Sequence, residues 1–203
     1  MVAGSAADMA LLERKAAIER RAGLEVELWS AADLRDRAPY LADGLAGAAF
    51  CPAEGKADPF RATPLLLRRA VEAGLTLRRN APVAAIAREG GGFALDAAGE
   101  THRARAVVNA AGAEAAAIAR MVGLDVALEG HPIQVAVTER RPPTLPFLVY
   151  FTGEKLTLKQ AAEGGFLIGG GWPARGGRAP VVDHGSLVRN LAVAQQVMPG
   201  LAG

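Results

Sequence analysis

Residues 105–126 read RAVVNAAGAEAAAIARMVGLDV. An apolar run, Ala106 to Val108, meets a turn of small residues from Asn109 to Ala113, and an alanine-rich helix is predicted beyond it as far as Gly123. Strand, tight turn and helix N-terminus are the parts with which proteins approach a phosphate or a nucleotide. The usual companion of such a turn, a strand followed by GxGxxG, does not occur in the 203 residues. By itself the turn is equally explained by close helix–strand packing, because Ala110, Ala111 and Gly112 let either another backbone or a flat ligand come near.

The surrounding composition narrows the choice. Hydrophobic residues make up 51% of the chain and charged ones 22%, enough for a packed core. Net charge is +2, with Lys and Arg scattered along the chain, so a nucleic-acid partner is not expected. The single cysteine, Cys51, has no partner for an internal disulfide, which suits a reducing compartment. The opening MVAGSAADMALLERK lacks the cationic and apolar regions of a secretory signal, and no apolar run approaches the roughly 18 residues of a membrane span. A cytoplasmic location is therefore expected.

Helices are predicted at Ala6–Ala22 with Gly23 as the stop, after a possible capping box at Ser30–Asp33, and from Asp58-Pro59 to Gly74. Strands are predicted at Leu24–Trp29, Leu75–Arg79, Pro82–Arg88, Phe93–Asp96 and Val107–Val108. After Gly123 the texture becomes sheet-like, with Ile133–Thr138, Leu148–Phe151, Leu156–Gln160 and Phe166–Gly169 before a last helix ending at Met198. Helices and strands mix irregularly, which points to an α+β fold with an α/β-like first part.

Candidate chemistry is sparse. Gly169 to Ala174, GGGWPA, formally fits GxGxxA, but Pro173, Gly176 and Gly177 oppose the helix a dinucleotide turn must feed, so a flexible loop is expected. His102, His131 and His184 lack metal-ligand spacing, and no metal is expected. No serine stands in a GxSxG elbow, and Cys51 has only Lys56 as a nearby cation. Lys159 and Gln160 end the strand LTLKQ, whose alternation puts Leu156, Leu158 and Gln160 on one face. Tyr150 stands in an apolar strand and needs a partner for its hydroxyl if buried. Trp172, among glycines, either closes over a ligand or packs.

Read in order, four segments resemble the FAD-dependent amine and amino-acid oxidoreductases of the D-amino-acid oxidase, glycine oxidase and sarcosine oxidase type. They are GKADPFRATPLLLRRAVEAG (55–74), LRRNAPVAAIAREGGGFALDAAGE (77–100), RAVVNAAGAEAAAIARMVG (105–123) and LTLKQAAEGGFLIGGG (156–171). The resemblance implies an adenine contact through backbone groups of Val83 and a second cofactor wall at Ala110, Ala111 and Gly112. It implies a substrate roof from Ile133 to Gly169, with Tyr150, Lys159 and Gln160 as polar contacts. The chain departs from the family at Ala113-Glu114, where an aromatic residue is common, and at His131-Pro132-Ile133-Gln134, where an R-G-Q-like stretch is common.

On this resemblance residues 1–128 are expected to be part of an FAD-binding region and 129–203 part of a substrate domain. The parent enzyme would oxidise a small amine or amino acid by hydride transfer from the C–N carbon to the flavin. The 203 residues would be an internal piece of it, inactive alone. Two other readings stay open: a non-catalytic ligand-binding or interaction domain, and a subunit that self-associates or is completed by a partner chain.

Overall fold

The computed structural model describes residues 1–176 and 180–202, so Gly177 lies outside the described residues. In chain order the elements are β1 (Val2–Ala3), α1 (Ala6–Arg21), β2 (Glu27–Ser30), α2 (Ala31–Arg37), β3 (Gly47–Phe50) and α3 (Pro59–Glu72). Next come β4 (Val83–Glu89), β5 (Gly92–Ala97), β6 (Glu100–Ala104), α4 (Ala115–Arg120) and β7 (Ile133–Arg140). Last are β8 (Val149–Phe151), β9 (Leu156–Gln160), β10 (Gly165–Pro173) and α5 (His184–Val197). The fold is α+β, and the chain forms two compact units: Met1–Pro59 with Pro132–Gly203, and Phe60–His131.

The first unit is built on a seven-stranded sheet in the order β2-β3-β1-β8-β9-β10-β7. Val2 pairs in parallel with Phe151, and the other ladders are antiparallel. Local signals explain the helices at its edges. Ser5 caps α1 by accepting from the Asp8 N–H, and Ser30 with Asp33 forms the expected capping box of α2. Asp183 caps α5 by accepting from the Gly185 N–H. The side chain of Gln134 in β7 holds the backbone N–H and C=O of Asp183, which fixes where α5 begins.

The two faces of this sheet are treated differently. On one face Leu158, Phe166 and Ile168 pack with Trp29, Leu34, Val193 and Val197 into the main core. Each such side chain removed from water contributes about 1.5–3 kcal/mol. On the other face α1 sets Leu12 and Ala16 against Ala3, Val26 and Ala49. That cover belongs to the β1–β3–β2 end only.

The second unit has one three-stranded antiparallel sheet, β4-β5-β6, whose first turn uses Gly90 and Gly91 at φ 57° and 81°. Its buried apolar residues are Ile86, Ala97, Ala116 and Ala119. Two expected strands, Leu75–Arg79 and Val107–Val108, are not formed here. Leu75 and Leu77 are exposed and Val108 is 89% exposed, so neither run has the ladder partner that makes an apolar run a strand.

The predicted loop at GGGWPA is also corrected. β10 continues through it to Pro173 with a bulge between Ile168 and Trp172. A Cβ at Gly170 (φ +132°) would come within 2.7 Å of the Leu156 nitrogen, so only glycine fits there. Trp172 is buried and donates from Nε1 to the Lys155 carbonyl at 2.6 Å, a packing role.

Candidate functional site

Alternation in a sheet sends neighbouring residues to opposite faces. Along β9 this buries Leu156, Leu158 and Gln160 on the core face and turns Thr157 and Lys159 to the other. The register sets Tyr150 opposite Thr157, and Lys159 opposite Leu167, which in turn faces Val137. Tyr150, Thr157 and Lys159 thus form a polar strip beside an apolar one made by Leu167, Val137 and Val135. Val135 and Val137 are 52% and 67% exposed, so this half of the sheet is an open face. A Cβ at Gly169 would meet Thr157 Oγ1 at 3.2 Å and Val135 Cγ2 at 3.3 Å, so glycine keeps the middle of that face flat.

Gln160 stands apart from its neighbour. It is 4% exposed and faces the core. Its Oε1 accepts from the backbone N–H groups of Thr144 and Leu145, and its Nε2 donates to the carbonyls of Arg141, Pro142 and Gly164. The side chain is spent on shaping the 141–145 loop, with no polar atom left for a ligand. Lys56 works from outside the same loop, donating from Nζ to the Leu145 and Gln160 carbonyls at 3.2 and 2.8 Å. Sequence reasoning passed over this Lys56 contact, since residues 89 and 104 positions away supply it.

In the second unit the turn at Asn109–Gly112 is locked locally. Asn109 Oδ1 accepts from the Ala111 N–H and its Nδ2 donates to the Ala115 carbonyl. Gly112 has φ +56° with open space where a Cβ would point, and Ala110 and Ala111 are exposed. A short 3-10 turn, Gly112–Glu114, leads into α4. The outer side of the turn is open at Gly112, and the turn holds no cationic side chain of its own. Val83 opens β4, an edge strand that pairs with β5 alone. Alternate backbone groups along such an edge are available to a ligand. Among the described residues no three potential metal ligands come together.

Residues 1–203 match the family described as FAD dependent oxidoreductase, and the chain belongs to that family. Its cofactor is accordingly FAD. A subunit of opine oxidase from Agrobacterium tumefaciens (strain Ach5) is 33% identical over 134 residues, covering 66% of this chain and 34% of that protein. The Rhizobium meliloti protein of the same name is 34% identical over 134 residues, with the same shares of each chain. The fold matches the crystal structure of glycine oxidase from Geobacillus kaustophilus with a TM-score of 0.90 and 26% identity, covering 98% of this chain and 54% of that one. The chain thus spans about a third of the length of these opine oxidase subunits and about half of that glycine oxidase. No helix among the described residues is long and apolar enough to cross a membrane.

Proposed function

We propose that these residues form the substrate-facing sheet and one cofactor wall of an enzyme that oxidises a small amine or amino acid, an opine included. The observation that carries this reading is the open sheet face. Tyr150, Thr157 and Lys159 lie in one polar strip beside Val135, Val137 and Leu167. FAD supplies the hydride acceptor. The apolar strip would exclude water from the carbon that loses hydride, while the Tyr150 hydroxyl and the Lys159 ammonium would orient the acid end of the substrate. Gln160 positions the loop beneath. Residues 1–128, with Val83 and Ala110 to Gly112, would serve the cofactor side, and residues 129–203 the substrate side.

The reading extends to assembly. The 203 residues contain no GxGxxG, and they cover 54% of the glycine oxidase chain. We therefore read them as the middle of the catalytic fold, binding FAD weakly and turning nothing over alone, in the cytoplasm. Both opine oxidase relatives are named as one subunit of their enzyme, which favours a partner chain here as well. Exposed Leu66 and Val108 would favour self-association when no partner is present.

Absorbance of the purified chain, after addition of FAD and desalting, tests the first part: no flavin band should remain. A chimera tests the second, with this chain replacing the matched region of the glycine oxidase. The chimera should retain the band and be bleached by an amino acid without air. A folded chimera free of flavin would sink the proposal.

A further inference from the structure

Asn190, in the middle of α5, is 2% exposed and lies on the helix face that also buries Val193, Ala194 and Val197. Its side-chain Nδ2 donates to the Gly169 carbonyl at 3.0 Å. That carbonyl stands at the start of the β10 bulge. Ile168 faces Ala136 of β7 and Trp172 faces Gln134, so Gly169, Gly170 and Gly171 stand against Val135 alone. Toward β9 the register holds, with Gly169 opposite Thr157. Gly169 thus lies between the polar strip and the apolar one, and its conformation sets how far Thr157 stands from Val135. Three consecutive glycines have no side chain to select that conformation. Helix α5 is a fixed platform for the task. Gln134 of β7 holds its N-cap residue Asp183, and Arg189 donates from Nε to Glu154, in the turn between β8 and β9, at 2.6 Å.

We propose that Asn190 is a positioning residue for the reaction: from the core side it holds the Gly169 carbonyl, and so fixes the spacing of the two strips that grip the substrate on the open face. This rests on the oxidoreductase reading above. A leucine would fill the same space in the core, but the amide adds direction. A donor buried away from water selects the glycine conformation that offers it an acceptor, because leaving either group unpaired is costly. Asn190 touches no substrate and moves no proton; it acts through the backbone of Gly169.

The test uses Asn190→Leu and Asn190→Asp, in the full chain and in the flavin-loaded chimera. In Asn190→Asp the new carboxyl donates to Gly169 only while protonated, and burial keeps it protonated to higher pH than an exposed one. In the full chain the NMR signals of Val135 and Thr157 should be displaced at about pH 8 and return to their unsubstituted positions at about pH 5. In the chimera KM should rise about tenfold at the higher pH and recover at the lower one, relative to the unsubstituted chimera, with kcat within about twofold. Asn190→Leu should raise KM at both. A lower melting temperature with KM and the Val135 and Thr157 signals unchanged would make Asn190 a core residue only and overturn the inference. A KM rise in Asn190→Asp that does not follow pH would overturn it too. If Asn190→Leu does not fold, Asn190→Asp decides alone through its recovery at low pH. A chimera without turnover sinks the oxidoreductase reading, and the signals of the full chain still decide whether Asn190 sets the face.

Discussion

Leu145 is held to Gln160 through its N–H, which donates to the Gln160 side-chain oxygen at 3.0 Å. Lys56 then bridges the backbone carbonyls of the same two residues from outside. A loop and a strand end are thereby joined by three polar contacts around one buried amide. The arrangement explains why a glutamine occupies a core position between Leu158 and Phe166 in the sheet. It also makes the site face on the other side of β9 dependent on a residue that does not touch it.

Replacing Gln160 with Leu would keep the volume and remove every one of the side-chain contacts. The buried N–H of Leu145 would be left without its acceptor, at a cost of roughly 1–3 kcal/mol, while the Gly164 carbonyl keeps the Arg141 N–H. The expected loss is about 1–3 kcal/mol, read from urea unfolding of the purified chain. A loss below about 1 kcal/mol would mean that water replaces the amide without penalty.

The bulge of β10 makes a paired prediction. Gly170→Ala drives a methyl against the Leu156 nitrogen at a φ of +132°, whereas Gly171 has φ +77° and open space around its Cβ position. Gly171→Ala should cost about 1–2 kcal/mol from backbone strain alone. Gly170→Ala should cost clearly more and broaden the amide signals of β9. Equal melting temperatures for the two variants would contradict the bulge geometry.

The capping box of α2 predicts an acid limb. Ser30 donates from its hydroxyl to Asp33 at 2.6 Å and from its backbone N–H at 2.9 Å, and these two bonds hold the Asp33 carboxyl below the usual range. A depressed folded pKa stabilises above the unfolded value, and that contribution is lost as pH falls through the folded one. Protection of the α2 amides, taken relative to their intrinsic exchange at each pH, should therefore fall on acidification below the ordinary aspartate range. In Asp33→Asn this acid-dependent step should vanish.

Tyr150 tests the open face directly. In a flavin-loaded chimera, Tyr150→Phe removes one hydroxyl from a residue that is 39% exposed and leaves the sheet intact. A hydrogen bond to a charged substrate group is worth about 1.5–3 kcal/mol, so KM should rise roughly tenfold or more with the melting temperature unchanged. An unchanged KM would remove Tyr150 from the substrate side.

Much of the sheet was readable because one buried face forces alternation. The run LTLKQ was expected at Leu156–Gln160, and β9 has those bounds. The capping box at Ser30–Asp33 was equally local and equally clear. β1 and β3 were missed, for two residues and the sequence GAAF carry no alternation to detect. The opposite roles of Lys159 and Gln160 were half visible: their faces follow from period two, but the carbonyls and amides that occupy Gln160 come from a loop about sixteen residues away. Val107–Val108 failed as a strand for the complementary reason, since an apolar run has no sheet identity until something pairs with it.

β1 carries a consequence for how the molecule is made. Val2 pairs with Ala48 on one side and with Phe151 on the other, and its carbonyl also accepts from the Thr152 N–H at 3.1 Å. Val2 therefore waits for a strand synthesised far later, while the whole of Phe60–His131 emerges in between. Closing so long an interval is slow, and the edge of β1 that faces β8 stays unpaired meanwhile. The parallel pairing that joins the two ends of the central sheet forms only after β8 has appeared.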